Sequence, residues 1–114
     1  MLFHKLPFTT TQKGWQLTVT ATATNLLALI RTASGDKSFQ FATGANAMIL
    51  QPEDGDIRWL ADDNIPEATK GIIVYQDGFD TTPKACDLNK VQFIRKGASN
   101  VKVNIQIGEV SLNT

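Results

Sequence analysis

The sequence predicts an all-β domain, a β-sandwich or jelly-roll-like barrel of about eight short antiparallel strands, and three observations carry that expectation. Apolar and polar residues alternate with a period of two in several short runs, the pattern of half-buried strands. Clusters of Gly, Pro, Asp, Asn and Ser interrupt the chain at spacings of roughly ten residues, as turns between short strands do. No segment carries a convincing 3.6-residue apolar period, so helices are not expected to shape the fold.

Taken in order, residues 2–8 alternate imperfectly, with Leu2, His4 and Leu6 against Phe3 and Lys5, and Pro7 marks an edge position. This segment, 1–8, is expected to be a terminal strand or an arm that docks on a neighbouring molecule. From Trp15 the alternation sharpens: Trp15, Leu17, Val19 and Ala21 face inward, and Gln16, Thr18, Thr20 and Thr22 outward. Residues 25–31 contain Leu26, Leu27, Ala28, Leu29 and Ile30, a short continuous apolar run that reads as a strand covered on both faces. A turn at 34–37 leads to a short strand over 38–42, with Phe39 and Phe41 on one side, and a break at 44–46 precedes Met48, Ile49 and Leu50.

Pro52-Glu53-Asp54-Gly55 combines a preset φ with a permissive glycine, and predicts a hairpin between strands 46–51 and 56–61. In the second of these, Ile57, Trp59 and Ala61 share one face, and Arg58 and Leu60 the other. A loop over 62–70, a strand over 71–76 and an irregular stretch over 77–87 follow, with one helical turn at 87–90. Strands 91–95 and 101–107 are expected to form the last hairpin, the second with Val101, Val103, Ile105 and Ile107 facing inward and Lys102, Asn104 and Gln106 outward.

The 114 residues make one domain, 1–114, with a single core and no repeats or linkers. Eleven acidic residues balance eleven basic ones, which argues against a nucleic-acid surface built on bulk positive charge. Neutrality also removes one brake on self-association. The lone Cys86 allows neither an intrachain disulfide nor a thiolate metal cage. No run approaches the roughly 18 apolar residues of a membrane helix, and the first residues lack a signal-peptide pattern. The chain is therefore expected to be made in a cytoplasm, with no membrane partner.

Candidate chemistry is sparse. Glu53, Asp54, Asp56, Asp62, Asp63 and Glu67 offer oxygen ligands, but their spacing matches no calcium loop and Pro66 interrupts it, so solvated loop charge is the favoured reading, with Asp62 and Asp63 the first residues to test for a metal. His4 is the only histidine, which leaves no choice of partner for a Ser or Cys nucleophile, and nothing beside Cys86 activates its thiol. Asp54 and Asp56 lie in a tight turn rather than a cleft. Trp15, Trp59 and Tyr75 could stack on sugar rings if exposed, although two of them lie in phase with aliphatic neighbours and read as core. No enzyme, no cofactor and no metal site is expected. Residues 51–67 are predominantly acidic and 84–102 predominantly basic. These patches either pair between copies, head to tail, or neutralise each other within one molecule.

Residues 56–71, Asp-Ile-Arg-Trp-Leu-Ala-Asp-Asp-Asn-Ile-Pro-Glu-Ala-Thr-Lys-Gly, together with Leu88-Asn-Lys-Val-Gln-Phe-Ile-Arg95 and the Val/Ile-rich strand 101–107, resemble a pattern of small tailed-bacteriophage and prophage structural proteins. In these, a strand of the type Ile-Arg-Trp leads into Asp-Gly-x-x-Pro-Thr-x-x-x-Gly, and a later Leu-x-x-x-x-Phe-Ile-Arg precedes the final strand. Here Asn64 stands where Gly is usual, and Glu67 where Thr is usual. The resemblance covers about half of the chain. It implies a non-enzymatic virion component with a β-sandwich fold, most simply a capsid decoration (cement) protein that meets the major capsid protein or other virion proteins and forms a small homo-oligomer, with a trimer favoured. The candidate interface residues are Leu2, Phe3, Leu6, Phe8, Asp62, Asp63 and Phe79. A tail or head-tail component, or a carbohydrate-binding receptor-recognition module, is the alternative.

Overall fold

Val101–Val110 is the longest alternating segment, and the larger sheet is assembled on it. The computed structural model describes residues 8–10, 12–62, 64–67, 69–78, 80–81 and 86–110. Among these, nine strands form two antiparallel sheets packed face to face, the sandwich that the alternation predicts. The strands are β1 (Phe8–Thr10), β2 (Trp15–Val19), β3 (Thr24–Asn25), β4 (Ala47–Pro52), β5 (Ile57–Leu60), β6 (Ile72–Val74), β7 (Asp80–Thr81), β8 (Gln92–Arg95) and β9 (Val101–Val110).

In the first sheet, β9 pairs on one side with β1 and β2 laid end to end, and on the other with β4, which in turn pairs with β7. The second sheet runs β3-β8-β5-β6. Val101, Val103, Ile105 and Ile107 from β9 meet Leu17 and Val19 from β2, Met48 and Leu50 from β4, and Ile57, Trp59 and Phe93 from the second sheet in one continuous core. Fully burying an aliphatic or aromatic side chain of this size stabilises by about 1.5–3 kcal/mol, so the core is the main source of stability.

Residues 25–31, expected as a strand, are instead mostly helical: α1 spans Leu26–Ser34. Its signals are local. The Asn25 side chain accepts the Ala28 N–H at 2.7 Å, an N-cap, and Gly35 closes the C-terminus at φ 74°, its N–H donating to the Arg31 carbonyl at 3.0 Å. Leu26, Leu29 and Ile30, spaced for one helical face, are buried, and α1 packs on β2, β3 and a 3₁₀ turn at Leu88–Lys90, the helical turn expected there. The helix thus covers one side of the sandwich, where β2 and β3 lie. β6 and β7, separated only by residues 75–79, lie at the other end of each sheet's strand order.

Three further expectations are corrected. Residues 38–42 form no strand; Phe39 stacks edge-to-face on Trp15 at 5.0 Å and on Phe41 at 5.7 Å, and these rings pack against the core. Strands β4 and β5 are not a hairpin, because β4 pairs with β9 (Met48↔Ile107) and β5 with β8 (Trp59↔Phe93), so residues 53–56 carry the chain from one sheet to the other. Strands β8 and β9 are likewise in different sheets, and residues 96–100 cross between them. The two crossings lie side by side: the Glu53 N–H donates to the Lys102 carbonyl at 2.8 Å, the Lys102 N–H to the Asp54 carboxylate at 2.8 Å and the Lys96 N–H to the Asp56 carbonyl at 3.0 Å.

Candidate functional site

The hairpin of β5 and β6 is the first surface the fold leaves open. Ile57 and Trp59 alternate inward, so Arg58 points to the outer face of the sheet, where its Nη1 donates to the Gly71 carbonyl at 2.9 Å. Pro66, within the connecting loop, is buried, and Glu67 and Lys70 exchange backbone hydrogen bonds of 2.9 and 3.0 Å. With the loop held this way, Ile65, Ile72 and Tyr75 stay 59%, 50% and 61% exposed, the large apolar side chains exposed among the described residues. Beyond β5, β6 has no strand neighbour among the described residues, so it is a free sheet edge carrying apolar side chains.

The second surface is the outer face of the first sheet. Register places Gln16, Asn104 and Gln51 in one row across β2, β9 and β4, and Gln106 beside Ile49 in the next. β1 ends with Thr10 opposite Gly108 and β2 begins with Trp15 opposite Ile105, so the chain bulges between them at the described residues 12–14. This bulge is pinned: the Gln106 amide donates to the Gln12 carbonyl at 2.9 Å, and the Gln12 side chain donates to the Gln40 carbonyl at 3.0 Å and accepts the Ala42 N–H at 3.3 Å. Gly14 lies so close to β9 that a Cβ there would sit 3.0 Å from the Ile105 carbonyl oxygen. The result is a shallow depression of about 420 Å³, lined by Gly14, Gln16, Ile49, Gln51, Asn104 and Gln106 among others.

Of the predicted interface residues, Leu2, Phe3, Leu6, Asp63 and Phe79 lie outside the described residues. Phe8 opens β1, half-buried, opposite Val110 and with its ring against Gly108. Asp62 is exposed and accepts the Asn64 N–H at 2.9 Å and the Asn64 side-chain amide at 3.0 Å. These bonds, with the charge of Lys70 adding to them, hold its carboxyl below the usual carboxylate range. Among the described residues no group of three or more His, Cys, Asp and Glu side chains is placed to hold a metal ion. The turn carboxylates have structural partners, Asp54 taking the Lys102 N–H and Asp56 the Gln76 N–H at 2.7 Å.

The acidic 53–56 segment and the basic 96–102 segment therefore lie against each other at one end of the molecule. There the two segments meet through backbone N–H groups, the lysines contributing main-chain rather than side-chain contacts. Cys86 is half-buried, and burial followed by the neighbouring Asp87 charge pushes its thiol up, opposite to the activation a nucleophile needs. Trp59 is buried and Trp15 packs on the core, whereas Tyr75 is exposed.

Sequence reasoning missed Ile72 as a surface residue, since the Ile72-Ile73-Val74 run reads as core, and did not single out Ile65 within the 62–70 loop. The exposure of Ile72 follows from β6 being an edge, which depends on which strands pair. The amide row was legible only as separate outward positions. No helix of the described residues is long and apolar enough to cross a membrane. No family model, curated protein or solved structure matches the chain.

Proposed function

We propose that the protein is a non-enzymatic bacteriophage virion structural protein, a capsid decoration protein that stabilises the head through contacts with the major capsid protein and with copies of itself. The observation that carries this reading is the free β6 edge with Ile65, Ile72 and Tyr75 exposed along the hairpin. Exposed apolar groups on an unpaired strand edge favour association with another protein surface over solvent. The sequence resemblance favours the same reading: its strand residues fall on β5 and β8, direct neighbours in one sheet (Arg58↔Ile94, Trp59↔Phe93), and on β9 of the other. A resemblance confined to unrelated surface loops would carry less weight than one spanning paired strands. Quantifying the protein in purified virions tests the proposal: decoration predicts a copy number in fixed proportion to the shell subunits, whereas a tail-level copy number or absence from the particle refutes it.

A further inference from the structure

We propose that the depression on the outer face of the first sheet is a binding site for a neutral saccharide. The argument begins with what lines it. Gln16, Gln51, Asn104 and Gln106 present four primary amides from three adjacent strands, each amide offering both donors and an acceptor. Much of that capacity is unspent. Gln16 Nε2 donates to Asn104 Oδ1 at 3.2 Å and to Glu53 Oε2 at 3.0 Å, and Gln106 Nε2 to the Gln12 carbonyl. The Gln51 amide, the Asn104 amino group and the Gln106 carbonyl oxygen have no protein partner among the described residues and turn to solvent.

Sugar hydroxyls are themselves donor and acceptor at once, so a row of amides matches vicinal hydroxyls without any charge. Ile49 supplies the apolar contact that the C–H face of a pyranose ring needs, and no charged side chain lines the depression. That composition selects a neutral ligand over an anionic one. An extended peptide would seek the backbone groups of a strand edge, whereas β9 and β4 are paired on both sides here. Gly14, at the end of the bulge that Gln12 holds beside Gln106, lines one side of the site, and bulges commonly re-aim side chains next to binding sites. The site is independent of the capsid contacts proposed above, which lie on the hairpin of the other sheet.

The test is a nuclear magnetic resonance titration of the whole protein with neutral trisaccharides of glucose, mannose and galactose, and with sialyllactose as the anionic comparison. At least one neutral sugar is expected to shift the side-chain amide signals of Gln51 and Asn104 saturably, in the millimolar range fitting an open site. The double variant Gln51→Ala/Asn104→Ala should then bind that sugar at least about tenfold more weakly. The readout on the unmodified protein stands whether or not the variant folds. No shift with any sugar, shifts with sialyllactose alone, or undiminished binding by the folded variant would overturn the proposal.

Discussion

At the scale of single residues, several polar side chains act as pieces of backbone. Asn46 precedes β4, and its amide does what a strand residue would: it accepts the Val110 N–H at 2.8 Å and donates to the Val110 carbonyl at 3.2 Å, while its own N–H donates to the Gly108 carbonyl at 3.0 Å. Asn46→Ala leaves both groups of a buried strand end without that partner, a loss of about 1–3 kcal/mol. The expected outcome is a lower urea midpoint with faster amide exchange at Val110, and an unchanged midpoint would show that the clasp contributes nothing. In the sequence, Asn46 belongs to a break between strands. Its partner lies 64 residues away, and local pattern carries no information about such a pair.

At the scale of elements, α1 is where propensity and pattern diverge. A continuous Leu-Leu-Ala-Leu-Ile run suits a doubly covered strand, and the run is too short for periodicity to decide. What decided it is at the ends: the cap at Asn25 and the left-handed Gly35, both visible in the sequence once a nine-residue helix is considered. These termini give a prediction a strand would not. Asn25→Ala should cost about 1 kcal/mol through the lost cap. Gly35→Ala should cost about 1–2 kcal/mol through the left-handed backbone alone, because a Cβ there would meet nothing within 4 Å. Chemical denaturation of the two variants measures both, and the two losses should add, since the sites are at opposite ends of the helix.

At the scale of the whole molecule, alternation identified the inward faces of β2 and β9 and the sandwich class, because burial of one side of a strand is a local property. It did not identify partners. Turn chemistry at 52–55 says that the chain reverses, but a reversal within one sheet and a crossing between two sheets use the same residues. Hence the two expected hairpins became two crossings, the acidic and basic segments met at one end, and β6 became a free edge. That edge is the physical basis of the functional proposal. It carries apolar side chains that stay exposed, while α1 covers the side of the sandwich where β2 and β3 lie.

The proposed decoration role is tested most directly by co-sedimentation of the purified protein with bacteriophage shells assembled from a major capsid protein, comparing the wild type with Ile72→Glu/Tyr75→Glu. Both substituted positions are half or more exposed, so the variant should keep the wild-type circular dichroism spectrum. The account predicts saturable wild-type binding at a fixed ratio to shell subunits and loss of that binding in the variant. Wild-type protein that stays in the supernatant, or a folded variant that binds as well as the wild type, would contradict it.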